Sequence, residues 1–145
     1  MQRRWMTILL AFALAAGLLV SCGGGDEAGS GVIEISASDE LRFDPSSVTV
    51  QAGEPVTFRV TNEGELPHEF VLGPQSVQDA HEEMAAEGMM EHGEMEVEGQ
   101  LAALELEPGQ TREVTVTFDQ AGEVPFGCHE PGHFAGGMKG TVTVE

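Results

Sequence analysis

A chain of 145 residues has room for one domain of modest core, not two. Six basic residues stand against 25 acidic ones, for a formal charge of −19, and that sign excludes nucleic acid as a ligand because phosphate recognition needs the opposite one. The same field favours basic partners and salt-sensitive association, or serves solubility alone.

Residues 1–21 read as a bacterial lipoprotein signal peptide. Arg3 and Arg4 are its basic region, Thr7 to Val20 its apolar core, and Leu19-Val20-Ser21-Cys22 its lipobox. The apolar run is about 14 residues, short of the roughly 20 that span a bilayer. Cleavage before Cys22 leaves that thiol bearing lipid, which predicts an extracytoplasmic protein, periplasmic or on the outer surface, tethered to a membrane. It also removes Arg3 and Arg4, so the mature chain carries four basic against 25 acidic residues, a formal −21. Residues 22–31, rich in Gly, Asp, Glu and Ser, form a flexible tether to a domain over residues 32–145.

From Val32 onward the apolar residues alternate. Ile33, Ile35 and Ala37 mark a first strand, Val48 and Val50 a second, Val56, Phe58 and Val60 a third, and His68, Phe70 and Leu72 a fourth, with His68 at its inner end. Val77 to Glu87 has helix-forming composition. Leu101 to Leu106, then Val114, Val116 and Phe118, then Val124, Phe126 and Cys128, then Val142 and Val144 complete the set, with turns at Gln51-Ala52-Gly53, Pro108-Gly109 and Ala121-Gly122. Eight short strands and one partly helical insertion predict an all-β protein, an antiparallel Greek-key sandwich. The parity of Val124, Phe126 and Cys128 points Cys128 inward and His129 outward, as a solvated surface residue.

Ahead of the last strand runs Cys128-His129-Glu130-Pro131-Gly132-His133-Phe134-Ala135-Gly136-Gly137-Met138, a C-x4-H-x4-M pattern. Imidazole and thiolate with a weak thioether suit a copper ion that alternates between Cu(II) and Cu(I), since neither state's preferred geometry is fully met. Zinc is the alternative metal. Structural zinc takes four strong donors, against which Met138 argues. With Cys22 lipidated, Cys128 has no intramolecular disulfide partner, and a bound metal accounts for a lone thiol in an exported protein.

Pro131-Gly132-His133 with Met138-Lys139-Gly140-Thr141 resembles the cupredoxins, the small blue copper proteins of the azurin, auracyanin and plastocyanin type. The resemblance implies a Greek-key sandwich and a single copper held by His68, Cys128, His133 and Met138, the first histidine coming from far upstream, where Pro67-His68 stands. It also implies that the apolar rim around His133 is where a redox partner meets the ligand edge. A Cys-His pair such as Cys128-His129 is similar to that of multicopper enzymes. The further histidine clusters those enzymes need are not visible in the chain, so no catalytic residue is expected.

The chain departs from the cupredoxin pattern twice. Glu69 stands where plastocyanin-like proteins commonly have Asn, which puts the hydrogen bonds behind the ligands, and with them the potential, outside the resemblance. Residues 76–98 form an insertion carrying His81, Met84, Met89, Met90, His92 and Met95, a candidate second copper site of soft thioethers and imidazoles or an acidic lid packed on the sandwich. The expected function is a membrane-tethered, monomeric one-electron carrier serving a cytochrome or oxidase. The alternative is an envelope protein that sequesters or delivers copper with the same site plus the insertion.

Overall fold

A computed structural model describes residues 31–88 and 96–145. Cys22, Met89, Met90, His92 and Met95, with the signal peptide and tether, lie outside the described residues. The chain forms β1 (Val32–Ser38), β2 (Arg42–Asp44), β3 (Ser47–Val50), β4 (Pro55–Asn62), β5 (His68–Leu72), α1 (Gln75–Ala86), β6 (Ala102–Leu106), β7 (Thr111–Thr117), β8 (Gly122–Gly127) and β9 (Lys139–Val144).

Two sheets, ordered β2-β1-β4-β7 and β3-β9-β8-β5-β6, make the sandwich. The expected all-β sandwich of about eight strands is present, and its sheets are mixed rather than antiparallel throughout. There are nine strands among the described residues, and β1 pairs with β4, and β3 with β9, in parallel. The reason is the excursion after β1. The chain turns back as β2 on the first sheet, passes to the second as β3, and returns as β4 to lie beside β1 in the same direction. With three residues, β2 is too short to show alternation.

The core lies between the layers and follows the alternation. β4 buries Val56, Phe58, Val60 and Asn62 in turn. Phe70 sits 5.9 Å from Phe43, 5.8 Å from Phe58 and 5.1 Å from Phe126, centroid to centroid, in edge-on and tilted packings. Each buried phenyl contributes on the order of 1.5–3 kcal/mol of transfer free energy, and this cluster lies one strand alternation below His68. On the outer face, register aligns Glu34, Arg59 and Glu113 on three adjacent strands, and Arg59 pairs with both carboxylates. The group is exposed, so it aids register more than stability.

Candidate metal centre

His68 opens β5, and the strand that follows it is buried at Phe70, Val71 and Leu72. The loop before it, residues 63–67, is held by two side chains. Asn62, fully buried, donates from Nδ2 to the carbonyls of Leu66 (2.7 Å) and Leu106 (2.8 Å) and accepts from the Gly64 N–H (2.9 Å). Asp39 accepts from the N–H groups of Glu65 (2.8 Å) and Leu66 (3.2 Å), and these bonds, the Glu65 one foremost, hold its carboxyl below the usual value. A Cβ on Gly64 would stand 2.0 Å from Asp39 Oδ1, so glycine is what lets the carboxylate approach. The same carboxylate lies 3.3 Å from the buried Nε2 of His68, an ion-pairing distance without hydrogen-bond alignment.

The other candidate donors come from the connection between β8 and β9. These strands pair down to Gly127 opposite Lys139, so Cys128 and Met138 meet at the end of the ladder, where the Cys128 N–H donates to the Met138 carbonyl (3.0 Å). The Met138 N–H donates to the His133 carbonyl (3.0 Å) and the His133 N–H to that of Glu130 (2.9 Å), closing the loop on itself. Cys128 and Met138 are fully buried, and His133 is half-buried.

His68, Cys128 and His133 converge, with one ligand atom from each lying within 4.8 Å of the others. His68 Nδ1 and His133 Nδ1 are 3.3 Å apart, and Cys128 Sγ is 3.4 Å from the latter. Two imidazole nitrogens turned toward each other and toward a sulfur form the donor set that copper prefers, so the residues fit the metal. The Glu69 N–H donates to Cys128 Sγ (3.3 Å). A bond from the main chain of one ligand segment to the sulfur of the other is thus present despite the unusual side chain at that position, since a backbone donor is indifferent to it. Burial pushes the Cys128 thiol up to about 12, outweighing that N–H. Burial also pulls the His68 imidazole down, His133 adding to the effect and Asp39 opposing it.

His129 corrects the sequence reading. It is fully buried rather than solvated, because α1 packs over the end of β8 and covers it. Nε2 of His129 donates to Gln78 Oε1 (2.9 Å). The Gln78 amide nitrogen lies 3.2–3.3 Å from the carbonyls of Val71, Gly73 and Pro125, which leaves its oxygen as the acceptor. Nδ1 of His129 is 2.9 Å from Glu82 Oε1, so a proton lies between ring and carboxylate. Burial lowers the imidazole's affinity for that proton and Glu82 raises it. Polar Gln78, His81 and Glu82 at i, i+3 and i+4 of one helix were the available signal. His81 bonds Gln100 through Nε2 (2.8 Å), and Met84 is half-buried. Among the described residues, the group at His68, Cys128 and His133 is the one found with such metal-holding geometry.

Residues 31–145 match the family described as copper binding proteins, plastocyanin/azurin family. The chain is 39% identical over 113 residues to the copper-resistant cuproprotein CopI of Rubrivivax gelatinosus, covering 77% of this chain but 65% of that protein. It is 30% identical over 146 residues to auracyanin-A of Chloroflexus aurantiacus, covering 89% and 90% of the two chains. Among solved structures, dithionite-reduced auracyanin from Roseiflexus castenholzii superposes with a TM-score of 0.70 at 28% identity, over 81% of this chain and 98% of that one.

Proposed function

The chain belongs to the plastocyanin/azurin family of copper-binding proteins, and we propose that it holds one copper at His68, Cys128, His133 and Met138 and carries single electrons between proteins of the cell envelope. The observation that supports this best is that His68, Cys128 and His133 converge, that His68, Cys128 and Met138 are buried, and that backbone N–H groups tie Cys128 to the Met138 carbonyl and Glu69 to the Cys128 sulfur. Copper bound there would supply a Cu(II)/Cu(I) couple. The chain's part is to keep the donors still as the charge changes and to leave the His133 edge half-exposed toward a partner. A basic protein such as a cytochrome suits the mature chain's negative field. No catalytic residue is proposed.

A specific likeness favours a second reading, copper tolerance or delivery. A relative at 39% identity is named for copper resistance, and the Met/His insertion supplies soft donors in the sequence. The test is the copper stoichiometry of the purified protein under Cu(II) and under Cu(I). One tightly held ion supports the carrier; two or more exchangeable ions, lost when the six His and Met residues of the insertion are replaced, support copper handling. Export and the lipid tether at Cys22 belong to the same proposal. Fatty-acid labelling that survives Cys22→Ala would refute that anchor.

Two further outcomes follow from the site. Thiolate ligation requires the Cys128 proton to leave. With the thiol raised to about 12, copper binding at pH 7 should release close to one proton from it, and calorimetry in buffers of different ionisation enthalpy should find that proton missing in Cys128→Ser. The role of Met138 predicts that Met138→Leu raises the reduction potential, because loss of a donor destabilises Cu(II) more than Cu(I). An unchanged potential would remove Met138 from the ligand set.

A further inference from the structure

The residues that immediately follow Cys128, His133 and Met138 stack on one another. The rings of His129 and Phe134 lie 4.8 Å apart at 21°, and Lys139 Nζ stands 4.9 Å from the Phe134 centroid, over its face. Because the donors recur every five residues, so do these neighbours. Helix α1 closes the stack. The His81 ring lies 5.2 Å from His129 at 27°, so His129 makes stacked contacts with both His81 and Phe134. Its edges are fixed as well, by Gln78 and Glu82. Gly127 makes room for the arrangement, as a Cβ there would meet the Phe134 ring at 2.6 Å and Gln78 Oε1 at 3.0 Å.

We propose that this column of His81, His129, Phe134 and Lys139 sets the spacing of the ligand loop, with His129 and Phe134 as positioning residues and α1 as the abutment. The inference deepens the copper assignment and rests on it for its metal readouts. Each column member on the loop shares a peptide unit with a donor, so fixing its side chain limits how the donor's backbone can rotate. The loop between Cys128 and Met138 contains three glycines and exposes Pro131 and Ala135, which leaves it little other side-chain packing to resist motion. Stacked rings and a cation over a ring add side-chain restraint to the main-chain bonds that close the loop. The device also links the start of the Met/His insertion mechanically to Cys128, through a helix that supplies no donor to the group of His68, Cys128 and His133.

The test compares Phe134→Ala, Phe134→Tyr and Glu82→Ala in the purified full chain. Phe134 is half-buried, so its truncation leaves the sandwich folded, and the far-ultraviolet spectrum checks this. In the copper-free protein, exchange of the Cys128 and Met138 amide hydrogens should quicken by up to about tenfold in Phe134→Ala, the scale of one lost aromatic pair. In the loaded protein, copper affinity by chelator competition should fall by about 10–100-fold in Phe134→Ala and Glu82→Ala, with a displaced visible band. Phe134→Tyr, which keeps the ring, should restore both. Unchanged exchange, affinity and spectrum in the alanine variants would overturn the column. Quickened exchange in a chain that shows no visible copper band would instead refute the copper assignment and leave the column standing.

Discussion

Replacing Cys128 with serine is expected to abolish the intense visible absorption of the copper-loaded protein while leaving its fold intact. A short copper–thiolate bond gives strong charge transfer in the visible, and the described residues contain one free cysteine, Cys128. A hydroxyl is a poor substitute for the thiolate as a soft donor. The fold should tolerate the change, because serine is slightly smaller and the Glu69 N–H that now donates to Sγ can donate to the hydroxyl instead. Visible and circular-dichroism spectra of the two proteins, recorded with and without copper, check both halves. A serine variant that keeps the colour would place the thiolate elsewhere.

The largest loss of stability is expected from Phe70→Ala. The ring is fully buried between the sheets and packs against Phe43, Phe58 and Phe126. Its removal leaves a cavity that two pleated sheets cannot easily close, at a cost of about 3–5 kcal/mol. For an ordered domain of this size the thermal midpoint should fall by more than about 10 °C. The partly exposed Val48→Ala should cost far less, and comparable shifts in the two variants would contradict the placement of the core. Phe70 stands two residues after His68 on β5, so copper affinity should weaken together with the fold.

The sandwich was legible where strands are long enough to alternate. β4 and β5 announce their inward residues directly, and the Cys128 and His133 spacing announces a loop whose side chains converge with His68. Parallel pairing was not legible. It arises because the chain leaves one sheet between β2 and β3 and returns as β4, and no local pattern encodes that crossing. His129 was misread for a related reason. Parity was carried past Gly127, where β8 ends, and the chain there follows loop geometry under α1. The braces Asn62 and Asp39 had no motif at all, since each works by reaching main-chain groups outside its own strand pattern.

The central claim, a single copper that cycles between two oxidation states in a rigid site, is tested most directly by voltammetry of the copper-loaded protein alongside its metal content. The account predicts one copper per chain and a reversible one-electron wave whose position shifts upward in Met138→Leu. Several exchangeable coppers per chain with no reversible wave would contradict it.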